Sequence, residues 1–191
     1  DSESGVHPLE VGLARLQARA LIAPGAAVRL SAAEATAYET YAWRADNREG
    51  VVAGMVPLAQ GIPFANNVVL AAYEAPTVVA PGETVAVWLA WWLRAGPPGG
   101  ADYHFTVQLM DSAGAVVSQH DHAGYPSAMW QAEDLVLSRF ALDIPDDAEV
   151  AAYRLRAGMY TYPEIEVVPV VDPAGQPVDD GVTLLADLRV E

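Results

Sequence analysis

The residues best suited to chemistry in this chain stand side by side as His120-Asp121-His122. Two imidazoles at i and i+2 on a strand share one face, and a nearby carboxylate could complete a metal shell. A third ligand is missing at readable spacing, because the other histidines are His7 and His104. No metal and no other cofactor is therefore assigned, and the triplet reads as a polar turn able to touch a ligand. Just downstream, Tyr125 and Trp130 flank a loop containing Pro126. Flat rings stack on the C–H faces of sugars with little entropy cost. Trp130 and Tyr125, with His120, Asp121 and His122 beside them, are the expected ligand-binding set. Trp88, Trp91 and Trp92 lie in a run apolar on both faces, and core packing is the stronger reading for them.

Other chemistries find less support. The chain has no cysteine, which excludes disulfides, thiolate catalysis and Cys-type zinc sites. Asp143, Asp146, Asp147 and Glu149, with Asp179-Asp180 elsewhere, supply oxygen ligands but not the spacing of a calcium loop, so solvated turns are favoured. Glycoside hydrolysis needs two carboxylates about 5–10 Å apart across a cleft. Among 25 acids no such pair can be picked out by position. Gly-x-Ser-x-Gly elbows, Walker loops and dinucleotide glycine loops are absent. No catalytic residue is assigned, and the chain by itself is not expected to be an enzyme.

The elements that must position these residues follow from composition and pattern. The 191 residues carry 25 acids against 10 arginines and no lysine, a net charge of −15. A nucleic-acid partner needs a basic footprint, and an anionic membrane surface would repel this chain, so neither is expected. The longest apolar run, Val85 to Leu93, is far short of the roughly 20 residues of a spanning helix. The chain starts at Asp1 rather than Met and reads as a piece of something longer.

Residues 1–60 read as an α-β-α-β segment, with helices opening near Pro8 and at the Ser31–Glu34 capping box, the second running to about Arg44. Val51 to Val56 reads as its last strand. From residue 61 to 191 strands and turns take over, as at Ala80-Pro81-Gly82-Glu83 and Asp111-Ser112-Ala113-Gly114. Tyr103, Phe105, Val107 and Leu109 alternate with His104, Thr106, Gln108 and Met110, a half-buried strand. The expected fold is mainly β: an antiparallel sandwich, jelly-roll or immunoglobulin-like, with a small N-terminal α/β segment.

Several of these stretches recur in a known order. Val69-Leu70-Ala71-Ala72-Tyr73 is followed by Ala80-Pro81-Gly82-Glu83-Thr84, Leu89-Ala90-Trp91-Trp92 and Asp102-Tyr103. Val107-Gln108-Leu109-Met110-Asp111-Ser112-Ala113-Gly114, Ser118-Gln119-His120-Asp121, Pro126, Trp130 and Tyr153-Arg154-Leu155-Arg156-Ala157-Gly158-Met159-Tyr160 then follow. In that order the chain resembles the C-terminal extracytoplasmic β-sandwich of polytopic glycosyltransferases of the dolichyl-phosphate-mannose mannosyltransferase type. The stretch from Asp121 to Trp130 lacks that family's longer glycine-rich loop, and Tyr162-Pro163-Glu164 interrupts the last strands.

The resemblance implies a non-catalytic accessory domain on the outer face of a membrane, positioning a glycan or protein acceptor. Its implied partner is the membrane-embedded remainder of its own parent protein. A free-standing carbohydrate-binding module is the alternative, and a glycosidase-like hydrolase a more distant one.

Overall fold

The structure is a computed structural model, and it describes residues 40–44, 54–96, 100–123 and 125–191. Two five-stranded sheets face each other. In the first, the order is β1 (Thr40–Arg44), β8 (Asp134–Asp143), β5 (Thr84–Leu93), β3 (Val68–Glu74) and β2 (Val56–Pro63). In the second it is β4 (Val78–Val79), β12 (Val182–Val190), β9 (Ala152–Tyr162), β6 (Asp102–Met110) and β7 (Val116–His122). A small hairpin pairs β10 (Val170–Val171) with β11 (Pro177–Asp179). Among the described residues all strand pairing is antiparallel except β4 beside β12. The fold is thus an antiparallel β-sandwich, as the sequence predicts. No helix among the described residues is long and apolar enough to cross a membrane.

The connectivity decides between the two sandwich types. With β3, β5, β6, β7, β8, β9 and β12 taken as A, B, C, C′, E, F and G, the sheets contain E-B-A and G-F-C-C′, the immunoglobulin-like arrangement. The second residue of β9 adds a local signature of that fold. Tyr153 is buried, and its hydroxyl donates to the carbonyl of Glu149 at 3.2 Å, closing the corner before the F-like strand.

The core lies where the inner faces meet. Val87, Leu89, Trp91 and Leu93 of β5 are fully buried against Phe105, Val107 and Leu109 of β6 and Leu155 of β9. Trp91 is its centre, with ring centroids 4.9 Å from Phe105 and 5.8 Å from Phe64. Alternate residues of β5 and β8 on the opposite face, Trp88, Ala90, Leu135 and Leu137, are buried as well. β6 behaves differently, with Tyr103, Phe105, Val107 and Leu109 buried and the residues between them partly exposed. Its polar face is free to carry a site.

Turn chemistry fixes the registers. In the hairpin after β6, Asp111 Oδ1 accepts from the N–H groups of Ala113 and Ala115 at 2.9 and 2.8 Å, and Gly114 takes φ +86°. Asp172, Ala174, Gln176 and Gly175 repeat this arrangement between β10 and β11. A positive φ is open to glycine at little cost, which is why both turns end on it.

The N-terminal expectations fare less well. The helix expected to reach Arg44 is overturned at its end: Thr40–Arg44 is a strand whose Trp43 lies opposite Leu135. The helix near Pro8 and the start of the second helix lie outside the described residues. Val56, the expected end of a strand, instead begins β2, which runs on through residues 60 and 61, where the segment boundary was expected. Local pattern could not anticipate that β1 and β2 flank the first sheet among the described residues.

Candidate functional site

The outward face of β6 and its neighbours is a polar ladder set by register. Gln108 lies opposite Gln119 of β7 on one side and Arg156 of β9 on the other. One step along, Thr106 lies between Asp121 and Gly158, and beyond it His104 lies opposite Tyr160. Strand alternation sends all of these to the same face, because the intervening Phe105, Val107, Ala157 and Met159 go to the core.

A groove of about 410 Å³ runs over this face, lined by Thr106, Gln108, Gln119, Asp121, Arg156 and Tyr160 among others. Its floor is low at Gly158, where a Cβ would stand only 3.1 Å from the Thr106 Cγ2. One wall is the segment after β9, which folds back so that Val167 bridges to Tyr160 and presents exposed Ile165 and Val167. Asp180, in the turn before β12, also lines the groove, its backbone oxygen 3.7 Å from where a Gly158 Cβ would stand.

The polar groups are pre-oriented. Gln108 Nε2 donates to Gln119 Oε1 at 3.0 Å, and Gln119 Nε2 donates in turn to Asp121 Oδ2. Such a relay polarises each member and fixes which amide end faces outward. Arg156 Nη2 holds Asp179 Oδ1 at 2.8 Å. That hydrogen bond, more than any other influence, keeps the Asp179 carboxyl below the usual carboxylate range. Tyr160 is pushed the other way, by burial first and then by the charges of Asp121 and Tyr162. Its hydroxyl therefore stays protonated and can both donate and accept.

An aromatic shelf extends the same face. His104 stacks on Tyr162 with centroids 4.5 Å apart and planes 11° from parallel, and its Nε2 lies 3.8 Å from Asp102 Oδ2. Tyr162 remains 50% exposed.

The expected ligand-binding residues are scattered by the fold. Trp130 and Tyr125 are 5% and 0% exposed, which corrects the expectation of a surface platform. Trp130 stacks on Tyr103 at 5.2 Å and donates its indole N–H to the Tyr125 carbonyl at 2.8 Å, while the Tyr125 hydroxyl donates to Met129. These two rings close the end of the core and offer no face to a sugar. Within the triplet, alternation separates the members. Asp121 enters the groove, whereas His120 turns away and accepts the N–H of Ala141 on β8 through Nδ1 at 2.7 Å. His122 lies opposite Phe105 in register. Among the described residues no three His, Asp or Glu side chains gather as a metal shell.

Gln108, Gln119, Arg156 and Gly158 were not singled out from sequence. Their signal was the polar half of each alternating strand, readable in β6 but without meaning until the three strands are aligned. Comparison with known proteins bears on the fold alone. No family model matches the chain, and no curated protein matches it in sequence. Among solved structures it is similar to the C-terminal domain of wzt, with 10% identity, a TM-score of 0.48, and 85% of this chain and 87% of that one covered. It is also similar to the CARDB domain of the PF1109 protein in complex with di-metal ions from Pyrococcus furiosus. There the identity is 10%, the TM-score 0.34, and the coverage 62% of this chain and 87% of that one.

Proposed function

We propose that this chain is a non-catalytic carbohydrate-binding module and that the groove across β7, β6 and β9 is its binding surface. The carrying observation is the Gln108–Gln119–Asp121 relay beside Tyr160, over a floor lowered by Gly158. Sugars present paired hydroxyls that both donate and accept, and a row of amide, carboxylate and phenol groups answers both needs. The Tyr162–His104 shelf supports the same reading, since a half-exposed ring stacks on a pyranose face. Openness supports binding over catalysis: Gln119, Asp121, Ile165 and Val167 are exposed, and closed, water-free sites are the rule where charge must be stabilised in a transition state.

The family resemblance supports a setting for this module. In that setting it is an extracytoplasmic accessory domain of a membrane glycosyltransferase-like protein, partnered by the membrane-embedded part of its parent. It would hold glycan or glycosylated acceptor near the reaction.

The test is a glycan array followed by titration calorimetry on the wild type, Gln119→Ala, Tyr162→Ala and Trp130→Phe. Loss of one sugar hydrogen bond should weaken binding about tenfold in Gln119→Ala. Tyr162→Ala should weaken it as well, and Trp130→Phe should leave it unchanged. An array with no bound glycan, or affinities indifferent to both groove substitutions, overturns the reading.

A further inference from the structure

Charge inside the groove goes further than the proposed sugar binding, on which this inference rests. Asp121 and Asp180 both line the groove. The guanidinium at its edge, Arg156, is already engaged by Asp179 at 2.8 Å. These four groups sum to two negative charges, on a chain whose net charge is −15. A carboxylate or sulfate on a ligand would find Arg156 already held by Asp179 and two acidic residues, Asp121 and Asp180, among the groove's lining. Like charges within a few ångströms repel appreciably even where water screens them, and the field of the whole chain slows a polyanion's approach.

The hydroxyls of an uncharged sugar face the same groups without penalty. Asp121 has its Gln119 partner on Oδ2, and its other oxygen is available to accept from a sugar O–H. Tyr160 and the Gln108 amide add donors along the same face. Rejection of acidic sugars thus comes from the residues that bind neutral ones, a built-in penalty against the wrong ligand.

We infer that the groove is selective for uncharged oligosaccharides, with Asp121 and Asp180 excluding uronic-acid, sialic-acid and sulfated glycans. The experiment compares a neutral oligosaccharide with its counterpart carrying a hexuronic acid in place of one hexose. Both are titrated at low and at high salt against the wild type and Asp121→Asn/Asp180→Asn. The acidic ligand should bind the wild type at least about tenfold more weakly at low salt. The gap should shrink at high salt, and should fall to about threefold or less in the double variant.

Equal or tighter binding of the acidic ligand by the wild type overturns the inference. So does a gap that the double variant leaves intact. If the acidic ligand binds equally well and Gln119→Ala abolishes that binding, selectivity fails while the sugar-binding groove stands. If neither ligand binds, both fall.

Discussion

Replacing His120 tests the division of labour between the two faces of β7. Among the described residues β1 pairs with β8 from Asp134 to Ser138, and Ala141 lies beyond that stretch. There His120 reaches from the other sheet, and its Nδ1 accepts the Ala141 N–H at 2.7 Å while the ring meets Phe140 edge-on at 6.0 Å. A buried donor left without a partner costs about 1–3 kcal/mol. Ala141 is half-buried, so water can recover part of that, and about 1–2 kcal/mol is expected for the bond alone.

Losing the edge-on ring contact adds roughly 0.5–1 kcal/mol. His120→Ala should therefore lose about 2 kcal/mol, or roughly 4–8 °C in Tm at this chain length. Urea titration measures it as a lower midpoint at unchanged m-value. His120→Phe keeps an aromatic ring but no acceptor, and should still lose about 1 kcal/mol. The reasoning is refuted if His120→Phe is as stable as the wild type. It is refuted equally if sugar affinity, rather than stability, collapses in His120→Ala.

Tyr153→Phe removes the hydroxyl bonded to Glu149 and leaves the ring in place; a loss of about 1 kcal/mol is expected in the same titration. Asp179 should titrate below the ordinary carboxylate range when its side-chain carbon is followed by NMR against pH, and Arg156→Gln should move that midpoint up. Because the folded-state value is depressed, the stabilisation is present above the unfolded Asp value of about 3.9 and is lost as pH falls through the folded one. The two proteins should thus differ most near neutrality and converge in strong acid. The pair is largely exposed, so the difference should be small; one that grows on acidification would contradict the assignment.

Particular residues show how far the sequence could be read. The alternation in Tyr103 to Met110 and the two-faced apolar run Val85 to Leu93 correctly announced a half-covered and a central strand. Both are local patterns with a period of two, and burial enforces them residue by residue. The turns at Asp111 and Asp172 were equally legible, because Asp side-chain acceptors and a glycine with positive φ act within five residues. Thr40–Arg44 was not. Its helical spacing lost to a place beside β8, a pairing with residues 134 to 138, far along the chain.

Trp130 and Tyr125 misled for a related reason. A proline-containing loop suggests exposure, yet the short turn Ser127–Met129 folds that loop over the core and buries both rings.

The sequence by itself determined the fold class, the missing cysteine chemistry, the acidic character and Asp121 as a polar candidate, since each is a property of composition or of near neighbours. Tertiary structure alone decided which residues share a face with Asp121. Gln108, Gln119, Arg156, Gly158 and Tyr160 come from three strands up to 52 residues apart in the chain, Gln108 to Tyr160. Register between strands brings them within reach, and register is a property of the whole sandwich: shifting one strand by a single residue would send its half of the groove into the core.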